Sequence, residues 1–190
     1  MIRIPELSSS VINLLGIDPG STYLGFCVMS VDLESRAITR TMASSINANK
    51  LSGNFYLSEL YGDRHSRIAA LMQAIEQLLN DYQPFAIISE APFFNPRRPG
   101  AFEALVQVLC ALRATIFNHD CLKPLHQVDP SSVKNAVGAK GGAEKLTVRD
   151  AVLALPDLHF EAECALEDID EHGIDSIAVC YWFYTKYIKG

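Results

Sequence analysis

A chain of 190 residues, 49% hydrophobic and 20% charged, has the size and make-up of one globular domain with a substantial core. The formal net charge of -6 argues against holding nucleic acid through bulk positive charge, so any phosphate binding needs a locally basic face. Cys27, Cys110, Cys121, Cys164 and Cys180 form no CxxC pair, which suggests neither a disulfide framework nor a zinc cluster and fits a reducing compartment.

The opening MIRIPELSSS lacks a long apolar stretch, and no later segment approaches about 18 uninterrupted apolar residues. A protein that is not secreted, cytoplasmic or in an organelle or viral factory of a host cell, and without a membrane partner is therefore expected. Residues 12–18 and 24–31 are short apolar runs split by Pro19-Gly20-Ser21-Thr22, the pattern of two strands joined by a hairpin-like turn. Residues 36–44 predict a weaker third strand. Ile68, Leu71, Met72, Ile75, Leu78 and Leu79 recur at helical spacing between Arg64 and Tyr82, ahead of Pro84. A buried strand, 85–90, follows and ends at Glu90.

Phe102, Leu105, Val108, Leu109, Leu112 and Ile116 predict a helix over 101–117, and a fifth strand over 125–128 runs into Asp129-Pro130-Ser131-Ser132, a helix-start signal. A flexible turn at 138–142 precedes a helix over 144–155. The last helix is expected over 174–188, with Asp175 in its first turn, where the helix dipole favours an anion. Residues 45–63 and 157–172 lack a period and read as loops. The order of strands and helices predicts one α/β domain built on a mixed sheet.

Asp18 lies in a run apolar enough for a central strand, where an ionised carboxylate costs several kcal/mol unless something compensates it. Glu90 repeats the pattern, and ligands of open α/β sheets bind at the carboxyl ends of strands. If the first and fourth strands are neighbours, the two acids converge. Asp175, with His172 three residues before it, can add an oxygen and a nitrogen ligand. Such a set calls for Mg2+ or Mn2+, and two ions about 4 Å apart can activate water and stabilise a leaving oxygen in phosphodiester cleavage. Each residue also has an ordinary structural reading: Asp18 as an Asx-turn residue, Asp175 as a first-turn acid, His172 as a surface histidine.

Four stretches, in order, resemble the RuvC-type Holliday junction resolvases of the RNase H-like nuclease superfamily: GIDPGSTYLGFCV, SRIAALMQAIEQLLNDYQPFAIISEAPF, SSVKNAVGAKGGAEKLTV and HGIDSIAV. The resemblance spans most of residues 12–185 and leaves room for a viral or organellar member. It implies an RNase H-like fold, a five-stranded mixed sheet flanked by helices, and a Mg2+-dependent homodimeric endonuclease that cuts four-way or other branched DNA by two-metal-ion hydrolysis.

By the same resemblance Asp18, Glu90 and Asp175 are metal-binding catalytic acids. His172 takes a fourth position that is Asp in some members, and Asp170 and Glu171 are alternatives to it. A neutral imidazole there would ligate an ion or position the attacking water, with activity falling on the acid side. Lys134 and Lys145 match basic residues near the site, Phe93 an aromatic that unstacks bases, and the helix at 101–117 the dimer interface. Apart from the resemblance, Arg97 and Arg98 on a stiff loop at 95–100 read either as further phosphate contacts or as ordinary exposed arginines. A catalytically inactive junction-binding scaffold of the same fold is one alternative. An actin- or sugar-kinase-like ATPase, whose first hairpin also carries Asp-x-Gly-Ser, is another.

Overall fold

Leu14, Leu15 and Ile17 are fully buried on both faces of one strand, and only a strand flanked on both edges and covered on both faces can bury such a run. The computed structural model, which describes residues 10–51, 55–94, 96–97, 99–139, 145–161 and 165–190, places this strand, β1 (Val11–Asp18), at the centre of a five-stranded sheet. The other strands are β2 (Tyr23–Asp32), β3 (Ala37–Asn47), β4 (Ala86–Glu90) and β5 (Leu125–Val128), in the spatial order β3-β2-β1-β4-β5. The β1–β2 and β2–β3 pairs are antiparallel, whereas β4 runs parallel to β1 and β5 parallel to β4. The mixed sheet predicted from element order is thus present.

Each face of the sheet carries its own core. On one, α3 (Asp63–Tyr82) and α4 (Pro99–His119) bury Leu71, Ile75, Leu79, Leu109, Leu112 and Ile116 against Leu15, Ile17, Leu24 and Val28. On the other, α5 (Pro130–Ala136), α6 (Lys145–Leu153) and α7 (Glu171–Tyr184) cover Ile12, Leu14, Cys27 and Met29. Each fully buried aliphatic side chain stabilises the fold by about 1.5–3 kcal/mol relative to exposure. The odd and even residues of β1 therefore serve opposite cores. Asp18 falls on the even, α7-facing side with Leu14 and Gly16.

Several boundaries differ from the sequence expectation. The stretch 45–63 is not a loop throughout: β3 continues to Asn47, α1 (Ala48–Leu51) follows, and α2 (Phe55–Tyr61) leads to α3. Helices this short show too few turns for a period to register, and α1 is fixed from outside, its Ala48 N–H donating to Thr22 O at 2.8 Å. Within 157–172, Phe160 bridges to Thr41 and Leu166–Asp168 forms a 3-10 turn. The last α-helix begins at Glu171, three residues before the expected start, because Asp170 caps it by accepting from Gly173 N–H at 2.9 Å. Asp175 accordingly lies beyond the first turn. Pro99 and Gly100, expected in a loop, already belong to α4. By length and composition α4 could cross a membrane, yet Leu109, Leu112 and Ile116 pack it against the sheet. Part of the expected turn at 138–142, residues 140–142, lies outside the described residues.

Helix α7 lies against the sheet at glycine contacts. A Cβ on Gly16 of β1 would come within 2.5 Å of Ser176 O and 2.8 Å of Cys180 Sγ, and one on Gly25 of β2 would overlap the backbone carbonyl of His172. Gly16→Ala is expected to destabilise the protein by about 1–3 kcal/mol, read as a lower urea midpoint at unchanged slope. Gly100→Ala, whose Cβ would meet nothing within 4 Å at the start of α4, is expected to leave the midpoint unchanged or raise stability by up to about 1 kcal/mol.

Candidate functional site

The β1–β4 register pairs Leu15 with Ile87, Gly16 with Ile88 and Ile17 with Ser89, so its next step sets Asp18 beside Glu90. Both carboxylates end their strands on the α7-facing side, and a proline follows each within two residues and takes the chain out of the sheet. The β1–β2 register places Gly25 directly opposite Asp18. The backbone of His172 lies over Gly25, and from there its imidazole reaches Asp18, with Nδ1–H donating to Asp18 Oδ2 at 2.7 Å. The two are 154 residues apart in the chain.

Electrostatics ties the remaining residues together. Burial first, then the charges of Asp18 and Asp175, push the Glu90 carboxyl up to about 7, while Lys134 pulls it down and Asp129 adds a further upward push. Asp18, Glu90, Asp175 and Lys134 therefore share one electrostatic environment at the carboxyl edge of the sheet. The His172 imidazole is held above its usual range, chiefly by the hydrogen bond to Asp18; burial opposes this, and Asp18, Asp170 and Glu171 reinforce it by charge. The imidazolium is thus stabilised by the acid it serves.

The other expected residues separate. Asp170 is occupied as the α7 cap, with its second oxygen accepting from Ser45 Oγ, so it is not a member of the acid group. Glu171 is half exposed, with Oε1 3.8 Å from His172 Nε2. Phe93 is 72% exposed just beyond Glu90, whereas Phe94 turns its ring edge-on to Phe102. Arg97 is exposed in the turn before α4. Arg98 lies outside the described residues, and Lys145 begins α6 with its side chain outside them.

Two neighbours escape the sequence reading. The Tyr23 ring lies nearly parallel to the His172 imidazole, 6° between planes and 5.6 Å between centroids, and limits how that imidazole can turn. Nothing local distinguishes Tyr23 from an ordinary strand aromatic, since its partner comes from the far end of the chain. Asp129 directly follows β5 and, like Asp18, is followed by a proline, a repetition visible in the sequence. Its oxygens are engaged in capping α5, accepting from the Ser132 N–H and hydroxyl, and those bonds hold its carboxyl below the usual range.

Among the described residues, no three Asp, Glu, His or Cys side chains converge closely enough to ligate an ion as they stand. The donor chemistry nevertheless fits a hard divalent cation. Carboxylate oxygens from two neighbouring strands and one helix face a common edge, and their mutual repulsion, visible in the raised Glu90, is what a cation relieves.

Comparison with known proteins gives the family and the fold. Residues 14–181 match the family model described as crossover junction endodeoxyribonuclease RuvC, a span that includes the terminal HGIDSIAV segment. The RuvC of Chlamydia felis is 29% identical over 182 residues, covering 92% of this chain and 94% of the relative. Among solved structures, Thermus thermophilus RuvC in complex with a Holliday junction substrate superposes with a TM-score of 0.68 at 22% identity, covering 92% and 95% of the two chains. The yeast mitochondrial Holliday junction resolvase superposes with a TM-score of 0.64 at 17% identity, covering 90% of this chain and 77% of the other.

The Glu90 shift predicts a pH dependence for the metal-free protein. An acid whose folded pKa is raised from 4.5 to about 7 costs stability as pH climbs through that window, and the full cost persists above it. Glu90→Gln should therefore stabilise the chelator-treated protein by on the order of 2–3 kcal/mol at pH 8 and by almost nothing at pH 4. Urea titrations at the two pH values check this, and equal differences at both would refute it.

Proposed function

The chain belongs to the RuvC family of crossover junction endodeoxyribonucleases, and on that premise we propose that it hydrolyses phosphodiester bonds at four-way DNA junctions, as a homodimer and with Mg2+ as the working ion. The observation that carries the reading is the gathering of Asp18, Glu90 and Asp175 at one sheet edge, with His172 hydrogen-bonded to Asp18. The family is metal-dependent. The all-oxygen character of the three acids favours Mg2+, with Mn2+ as a substitute. Bound there, the metal would supply activation of the attacking water and neutralisation of the leaving oxygen.

The chain's own residues do the rest. Asp18, Glu90 and Asp175 would hold the metal. His172 fixes the orientation of Asp18 through Nδ1 and leaves Nε2 as the nitrogen that would serve the metal or the attacking water. Lys134, close enough to Glu90 to lower its pKa, contacts a phosphate beside the scissile bond, with Lys145, Arg97 and Arg98 as further phosphate contacts. Phe93, exposed beside Glu90, stacks on a base splayed at the junction, for about 1–3 kcal/mol.

Two symmetric cuts need two active sites, which supports a homodimer. Helix α4 supports it further, because it is apolar along its length but only partly covered by its own chain, with Phe117 65% exposed. Light scattering that finds only a 20.9 kDa species would exclude the dimer.

The decisive assay incubates labelled four-way junction, replication fork and linear duplex with Mg2+ or Mn2+. Wild type should cut the junction in preference to the duplex. Asp18→Asn should cut at least about 100-fold more slowly while still binding the junction. Binding without cleavage by wild type would replace the nuclease with a junction-binding scaffold.

A further inference from the structure

Lys134, the cation whose charge reaches Glu90, lies on the β4 side of Asp18. On the other side stands Arg67 of α3, half-buried, with its Nε–H donating to the Ser21 carbonyl at 3.3 Å. Ser21 belongs to the turn that leaves Asp18 and enters β2, and that turn is also held by the bond from Ala48 N–H to Thr22 O. Helix α3 packs on the sheet face opposite α7, so Arg67 approaches the turn from the side away from His172.

Four other described arginines are engaged through their terminal nitrogens or by a carboxylate: Arg64 and Arg40 pair with Glu103 and Glu161, Arg113 bonds Gln127, and Arg149 bonds the Ile169 carbonyl. For Arg67 the bond from Nε is its one hydrogen bond among the described residues, and no carboxylate there lies within ion-pair distance. Among the described residues its two Nη groups thus have no partner, on a guanidinium already oriented by its third nitrogen. Paired N–H donors on a planar cation match two oxygens of a phosphate. Tethering through Nε lowers the ordering cost of that contact. In a chain of net charge -6, phosphates are held by such fixed local donors rather than by a diffuse positive field.

We infer that Arg67 is a DNA-backbone contact, binding one phosphodiester of the strand that passes over the β1–β2 turn, on the far side of Asp18 from Lys134. This rests on the junction-nuclease reading. It gives the site a phosphate anchor on each flank, so that the strand is held across Asp18 and Glu90.

Junction affinity, measured by fluorescence anisotropy without divalent ions between about 50 and 200 mM KCl, tests it, because each phosphate contact contributes about 0.9 to the slope of log affinity against log salt. Arg67→Gln should weaken binding several-fold and reduce that slope by about 0.9. Arg64→Gln removes the same charge one turn away on the same helix and should leave the slope nearly unchanged. Arg67→Lys keeps the charge but not the fork, so it should keep the slope and still bind several-fold more weakly. It decides the matter if Arg67→Gln melts below the assay temperature.

An unchanged slope in Arg67→Gln, an equal loss in Arg64→Gln, or wild-type affinity in Arg67→Lys would each overturn the contact while leaving the nuclease reading intact. A wild type that binds no branched DNA would overturn both.

Discussion

The site depends on how closely α7 lies against β1 and β2. Gly16 and Gly25 admit the helix backbone at distances a methyl group would forbid, and Gly25 is the residue paired across the sheet with Asp18. His172 is thereby carried over the end of β1, within hydrogen-bonding distance of an acid 154 residues away. The hydrophobic residues of α7, Ile174, Ile177, Ala178 and Cys180 among them, hold the helix down from the same side. Packing free energy thus positions the polar groups, which by themselves repel one another.

That repulsion is the second organising feature. Burial raises the proton affinity of Glu90 most, and Asp18, Asp175 and Asp129 all raise it further. A fold would shed such an arrangement if stability were all that mattered, since one neutral substitution relieves it. The arrangement makes sense once a divalent cation is counted among the groups present, because the cation's charge reverses the sign of the interaction for each acid. Substrate phosphates would bring the same problem to a chain of net charge -6, and on the proposed reading Lys134 and Arg67 are the local cations that answer it.

Much of this was legible in the residues alone. The apolar run through Leu14, Leu15 and Ile17 marks a central strand, the three-and-four spacing from Ile68 to Leu79 marks α3, and the carboxylate-then-proline endings at Asp18 and Glu90 mark the sheet edge where the acids meet. These are local signals, in which hydrophobic period and turn chemistry act over a few residues. Family resemblance in four ordered stretches singled out Asp175 and His172, for which spacing alone left ordinary alternatives.

Other features had no local signature. The start of α7 is set by Asp170 accepting from Gly173, and this removes Asp170 from the acid group and carries Asp175 past the first turn. α1 is bonded to the Thr22 carbonyl, Tyr23 stacks on His172, and Arg67 is tied to Ser21. Each joins residues whose separation along the chain far exceeds the reach of propensity or periodicity. Residue type and order suffice to say which acids are available and which segments are strands. Which nitrogen meets which oxygen follows only when two cores close on opposite faces of one sheet, because that closure sets the distances on which hydrogen bonds and charge interactions depend.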